Sequence, residues 1–388
     1  MNRLYLNAFS VVSPLGDTLQ DNLRQSLAGS QDGLQKIKDI VPGQEFYFGK
    51  VADACLAPVP QGYPDTRCNR LLLKCLNNLR KELAALKTRY SAERIAVILG
   101  SANTSIDEAQ SGINKFLASG KYTGQFSLDM LEIGSPSGFV SAVLGSRGPA
   151  YTISTACTSS AKVFSAASRL FELGVCDAAV VGGVDELSRY ASSGFCALEA
   201  LSAGRCNPLS VNRDGINIGE AAALIILERQ KNGAAPFLAG LGETSDAHHA
   251  TAPRADGKYA LAAMTTALQE SGVELKDIGF IALHGTGTKL NDAMEARAVY
   301  ALAKDQTPCL SFKSMIGHTL GAAGSVELVL GALALAARQL PPHIWDGQRD
   351  AELEPIQLAS GGGLNANYML SNAFAFGGSN SSIIIGRE

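Results

Sequence analysis

The sequence predicts an α/β fold whose strands are covered on both faces, and three observations carry that prediction. Seven short apolar runs, rich in β-branched residues, lack the apolar–polar alternation of a half-exposed strand. Gly or small residues follow each run and then a helical pattern, the order expected of a layered sheet. The composition agrees: of 388 residues, 46% are hydrophobic, 18% charged and 40 are Gly, where an average globular chain has about 25% charged residues. A large buried interior with many tight backbone passages follows.

In chain order, Ile95–Leu99 is an apolar run ending in Gly100–Ser101. Tyr151–Ser154 is a second, followed by a turn around Cys157 and a helix whose apolar face holds Val163, Phe164, Ala167, Leu170 and Phe171. Ala178–Val181 is a third. Glu220 to Glu228, containing the run Ala222–Leu227, reads as a helix-to-strand passage that closes a first half. The small, Pro-containing stretch Gly233–Pro236 then marks a boundary, giving halves of 1–235 and 236–388. Beyond it come Phe280–Leu283, Cys309–Phe312, a buried helix over Val326–Leu340, and a final strand over Ser382–Ile385.

The second half echoes the first. Ile95–Ser101 resembles Phe280–Thr286, Thr152–Leu173 resembles Leu310–Leu335, and Glu220–Glu228 resembles Gly377–Gly386. Two similar halves are therefore expected.

Several classes of function fall away. The net charge is −3 and no block of five Lys/Arg occurs, so the footprint of a nucleic-acid binder is missing. The run Val326–Leu340 is shorter than the ~20 residues of a membrane span, so no membrane insertion is expected. Eight cysteines without CxxC pairs, and an N-terminus (MNRLYLNAF) without a long apolar region, fit a reduced cytoplasm. The Gly clusters give neither a P-loop nor a GxGxxG after a strand.

Four features can do chemistry. Cys157 sits where a strand enters a helix, and a helix N-terminus favours thiolate and so a nucleophile; packing is the usual role of a buried Cys. His284 and His318 stand in Gly-rich strand-end settings, where open α/β folds assemble ligand sites. Lys313 precedes His318 by five residues, and Glu327 offers a carboxylate further on. No short His/Cys spacing suggests zinc, and no metal is expected. Residues 372–380 (Asn-Ala-Phe-Ala-Phe-Gly-Gly-Ser-Asn) pair the apolar walls Phe374 and Phe376 with Gly377–Gly378, which tolerate positive φ. One mechanism joins them: a Cys holds an acyl thioester, backbone N–H groups form an oxyanion hole, and neutral imidazoles stabilise the enolate left when a second substrate loses CO2.

The motifs carry a resemblance. Val-Val-Ser-Pro-Leu-Gly (11–16), Thr-Ala-Cys-Thr-Ser-Ser (155–160), Arg213 to Ala223, His-Gly-Thr-Gly-Thr-Lys-Leu-Asn-Asp (284–292), Lys313 to Gly324 and residues 372–380 keep the order and spacing of β-ketoacyl-acyl carrier protein synthases. The chain resembles that family nearly end to end. The resemblance implies the thiolase-like fold, two pseudo-repeated halves in five αβαβα layers. It implies Cys157 as acylated nucleophile, with its own N–H and that of Phe376 as oxyanion donors and Phe376 as gate. It further implies His284 and His318 as the decarboxylating pair supported by Lys313 and Glu327, and a substrate cleft with Thr286 and Thr288 on the phosphopantetheine arm, beside Phe374 and Gly377. No resident cofactor is implied, since acyl carrier protein brings the phosphopantetheine. The remaining partner is a second copy or a chain-length-factor-like paralogue.

Nothing after Cys309 is Cys, unlike a thiolase, and His318 occupies the second-His motif. Leu283, Ala375 and Cys206–Ser210 depart from the usual family pattern, and Lys289–Asp292 looks closer to polyketide-type synthases, so a polyketide or aryl-polyene chain is the expectation. The alternatives are a non-catalytic chain-length-factor-like subunit and a cysteine thioesterase.

Overall fold

A computed structural model describes residues 3–121 and 126–388. Among them ten strands form one sheet: β1 (Leu4–Val12), β2 (Ile95–Gly100), β3 (Ala150–Ile153), β4 (Ala178–Asp185), β5 (Ala221–Glu228), β6 (Phe237–Ser245), β7 (Ile278–Ala282), β8 (Cys309–Leu310), β9 (Tyr368–Phe374) and β10 (Ser379–Gly386). Their spatial order is β8-β7-β9-β10-β6-β1-β5-β4-β2-β3. From either edge inward the pairings run parallel, parallel, antiparallel, antiparallel, so β3-β2-β4-β5-β1 matches β8-β7-β9-β10-β6. The three resemblances between the halves fall on equivalent positions of this order. The halves meet at a short seam, Leu4 opposite Leu238 and Tyr5 opposite Phe237.

Helices α1 (Arg67–Asn78), α2 (Ile106–Ser119), α3 (Ser135–Leu144), α4 (Ser159–Glu172), α5 (Arg189–Ala197), α6 (Lys258–Ser271), α7 (Lys289–Ala303) and α8 (Ala323–Ala337) complete the layers. One apolar cluster packs α1 and α3 on the outer face of the first five strands, and another packs α6 and α7 on the outer face of the last five. Between the two half-sheets lie α4 and α8, whose apolar side chains join strands of both halves in a single core. That is the five-layered thiolase-like arrangement. Every residue from Ala323 to Leu335 is buried, which explains why this helix is apolar all round. Segment Leu320–Ala337 is long and apolar enough to cross a membrane, yet 89% of it is buried inside the protein.

Several boundaries differ from the sequence expectation. No helix precedes β5, which is reached by an irregular loop; an amphipathic run around Glu220 is absent because its carboxylate turns inward to Arg67. The strand expected over Cys309–Phe312 stops at Leu310, and Lys313–Ile316 forms one helical turn. α8 ends at Ala337, where Arg338 adopts the left-handed conformation (φ 56°) that caps a helix, and Gln339–Pro342 is a strand. β1, β6 and β9 had no counterpart in the expected strands.

Candidate active site

Cys157 lies between β3 and α4, two residues before the helix begins. Ala156, immediately before it, has φ 51°, a strained turn that swings the sulfur out of the strand direction. Hydroxyls secure the turn: Thr155 N–H donates to Ser159 Oγ (2.9 Å), and Thr158 Oγ1 donates to Ser379 Oγ at the start of β10 (3.1 Å). The C-terminal Gly-rich loop and the cysteine turn are thereby joined across the two halves.

The structure brings both histidines to that cysteine. His318 Nε2 lies 2.9 Å from Cys157 Sγ, and the His284 and His318 rings stand edge to face, 5.2 Å apart. Phe374 flanks His284 at 6.2 Å. His284 follows β7 by two residues, held because the Glu295 carboxylate of α7 accepts the N–H groups of His284 (2.8 Å) and Gly285 (2.6 Å). His318 sits beyond a helical turn rather than at a strand end. Its N–H donates to Asn217 O (2.6 Å) and its carbonyl accepts Gly219 N–H (2.9 Å), which gives the segment from Arg213 to Ala223 a role its sequence did not reveal. Asp185, at the end of β4, accepts from Ser101 Oγ, the N–H groups of Ala102 and Asn103, and Gly321 N–H (2.6 Å), tying the loops around the site together.

Electrostatics correct one expectation. Burial pushes the Cys157 thiol up to about 12, against the lowering effects of Lys313 and of hydrogen bonds from the backbone N–H groups of Phe376 and Cys157 itself. The helix terminus does not by itself make a thiolate here; a base must take the proton, and His318 is in contact. Burial and then Lys313 hold both imidazoles well below their ordinary range, with His318 adding to the effect on His284, so both are neutral. Lys313 Nζ meets Glu327 Oε1 at 2.6 Å with both side chains 1% exposed, so Glu327 partners Lys313 rather than a histidine.

A cavity of about 490 Å³ opens onto Cys157, His284 and His318, and its walls include Thr286, Thr288, Phe374 and Phe376. Thr286 and Thr288 share a hydroxyl hydrogen bond of 3.0 Å. Gly377 is outside the lining; with φ 82° it donates its N–H to Ala250 O (2.8 Å) and shapes the loop instead. Phe376 stacks on Phe195 of α5 at 5.6 Å, and together they border a second, 1410 Å³ groove between α2 and α5. Phe195, Asp185 and Glu295 are functional neighbours that the sequence reading missed. Only Glu295 had a local signal, lying one helical turn beyond the His284–Asp292 motif.

The separated Cys157, His284 and His318 do present three donor atoms within 4.8 Å of one another, despite their lack of short spacing. Metal-bound histidines usually anchor their second nitrogen; here Nδ1 of both His284 and His318 has no partner among the described residues. The trio suits reversible hydrogen bonding better than a fixed ligand set.

The family model "Beta-ketoacyl synthase, N-terminal domain" matches residues 7–233, and "Beta-ketoacyl synthase, C-terminal domain" matches 237–345. The chain is 38% identical to a chain of the complex between the ketosynthase ApeO and its chain length factor ApeC from Xenorhabdus doucetiae, with a TM-score of 0.95 over 100% of this chain and 98% of that one. It is 31% identical to a Staphylococcus aureus 3-oxoacyl-[acyl-carrier-protein] synthase 2 across 98% of this chain and 99% of the relative. The ishigamide ketosynthase/chain length factor, 24% identical, shares the fold with a TM-score of 0.87, covering 100% and 99% of the two chains.

Proposed function

Because the chain belongs to the β-ketoacyl synthase family, an acyltransferase family that condenses acyl units on acyl carrier protein, we propose how its own residues divide that reaction. Cys157 Sγ attacks the acyl thioester of a loaded carrier; its proton passes to His318 Nε2 and then to the departing phosphopantetheine thiolate. Malonyl carrier enters next; neutral His318 takes the tautomer with its proton on Nε2, and the thioester carbonyl accepts hydrogen bonds from the imidazole N–H groups of His284 and His318. The bond to the carboxylate breaks, CO2 leaves, and the electron pair forms an enolate. The enolate carbon attacks the Cys157 thioester. The N–H groups of Cys157 and Phe376 receive the oxyanion, and collapse expels Sγ as a thiolate that takes a proton from solvent.

The Lys313–Glu327 pair keeps positive potential beside neutral imidazoles. Thr286 and Thr288 grip the phosphopantetheine arm, Phe374 walls the cleft, Gly377 lets the loop turn, and Phe376 gates passage toward the second groove. The reading needs no resident cofactor or metal. The single observation that carries it is buried Sγ and Nε2 in contact beside a second neutral imidazole at the end of an open cleft.

The family models' break between 233 and 237 supports 1–235 and 236–388 as the two domains. The likeness to the ApeO–ApeC complex supports pairing with a chain-length-factor-like subunit or a second copy. The Lys289–Asp292 signature supports a polyketide or aryl-polyene chain as product, and the reaction is placed in the cytoplasm. The reading as a non-catalytic partner is disfavoured by the intact Cys157–His318 contact. Intact-mass analysis after incubation with a panel of acyl carrier proteins tests the proposal: wild type gains one acyl group, and Cys157→Ala gains none. An adduct that persists in Cys157→Ala overturns the assignment.

A further inference from the structure

Away from the cysteine, two carboxyl groups meet with no cation between them. Glu108 lies in the first turn of α2, and Glu186 directly follows β4, 1% exposed. Glu108 Oε1 accepts the N–H of Arg67, the first residue of α1 (2.7 Å), and Glu186 Oε1 accepts Asp107 N–H (3.4 Å). The two remaining oxygens, Glu108 Oε2 and Glu186 Oε2, are buried without a donor among the described residues. Two ionised carboxylates are acceptors only, so this arrangement leaves two orphaned acceptors and a like-charge pair. One shared proton removes both faults at once. We propose that Glu186 and Glu108 share a single proton, and that this proton latches the start of α2 onto the end of β4.

The surroundings fit. Burial, then the Glu108 and Asp107 carboxylates, push the Glu186 carboxyl well above the usual range, so it is the proton's holder. The groups facing the pair are Asp107 on α2, Asp185 on β4, Cys68, Arg67 and Arg70 on α1, and Arg189 on α5. None of these arginines forms an ion pair with Glu108 or Glu186: the Arg67 guanidinium is committed to Glu220 and Asp53, Arg70 is bonded to Asp65 and reaches Glu108 only through space, and Arg189 acts on Asp107. α2 forms one wall of the groove behind Phe376 through Gln110, Ser111 and Asn114, so the pair positions that wall without touching the reacting atoms.

The test is hydrogen exchange of residues 106–119 in the full chain across pH, corrected for the intrinsic rate. Protection in wild type falls by up to about tenfold per pH unit above the ordinary carboxyl range, where the latched state still holds the proton and the opened state does not, and levels off once the latched pair loses it. In Glu186→Gln the amide donates permanently, and protection no longer depends on pH. A carbonyl infrared band of a protonated carboxyl, present at neutral pH in wild type and missing in Glu186→Gln, reports the proton directly. A missing band, equal pH dependence in wild type and Glu186→Gln, or protection that follows added K⁺ or Ca²⁺ instead of pH overturns the proposal. None of these readouts requires condensing activity, so the failure of one reading is distinct from the failure of the other.

Discussion

At the scale of single residues, the site's chemistry rests on burial. His284 and His318 are held neutral, so the pH–rate profile of CO2 release from malonyl carrier protein should show no acid limb at the ordinary histidine value of about 6.5; its fall belongs well below that. An inflection near 6.5 would mean that the imidazoles are solvated in the working enzyme. The same depression has a stability consequence with a definite sign. The unfolded chain binds more protons than the native one below pH 6.5, so stability declines as pH falls from there toward the native values. Changing both histidines to Ala should abolish decarboxylation, and undiminished CO2 release by the double variant would remove them from the mechanism. The buried ion pair gives a further outcome: Lys313→Met strands the Glu327 carboxyl without a partner and should cost about 3–5 kcal/mol in urea denaturation.

At the scale of elements, the residues most legible in the sequence were those on sharp turns. Cys157, His284, His318 and Phe376 each sit where Gly or small residues interrupt an apolar run, and that interruption is a local signal. β1, β6 and β9 escaped because their sequences mix polar and Gly residues into buried strands. In β9, Asn372 accepts Ser382 Oγ–H at 2.8 Å, so the polar pair satisfies itself inside the core. In β6, Gly240 and Gly242 let α6 approach so closely that an added Cβ would lie 2.1 and 1.9 Å from helix carbonyl oxygens. Long-range contacts thus decide what composition alone obscures. The sequence likewise left Glu108 and Glu186 silent, since nothing local announces that positions 78 residues apart share a proton. The central helices meet as tightly: a Cβ at Gly324 of α8 would lie 2.7 Å from Ala161 N and Cβ of α4. Gly324→Ala should therefore destabilise the fold by about 1–3 kcal/mol, and a neutral result in chemical denaturation would show that α4 and α8 can separate.

At the scale of the whole molecule, one face is unfinished. β3 is an edge strand with Tyr151 37% exposed, and Phe116, Leu117, Leu128 and Leu131 are exposed apolar side chains in the stretch that precedes it. An edge strand open to pairing and exposed apolar side chains each favour association. Light scattering should give at least twice the 40.6 kDa chain mass, alone or with a chain-length-factor-like subunit, and a stable monomer under both conditions would refute it.

The seam between β1 and β6 has a different consequence. Only two residue pairs join the half-sheets there, while α4 from one half and α8 from the other share a single apolar core. The connection 229–236 is mostly exposed and carries none of the site. The polypeptide is thus an internal heterodimer whose tether is incidental: cleaved within that connection, the two fragments should stay together, since what binds them is the interlocked middle layer and not the peptide bond between them.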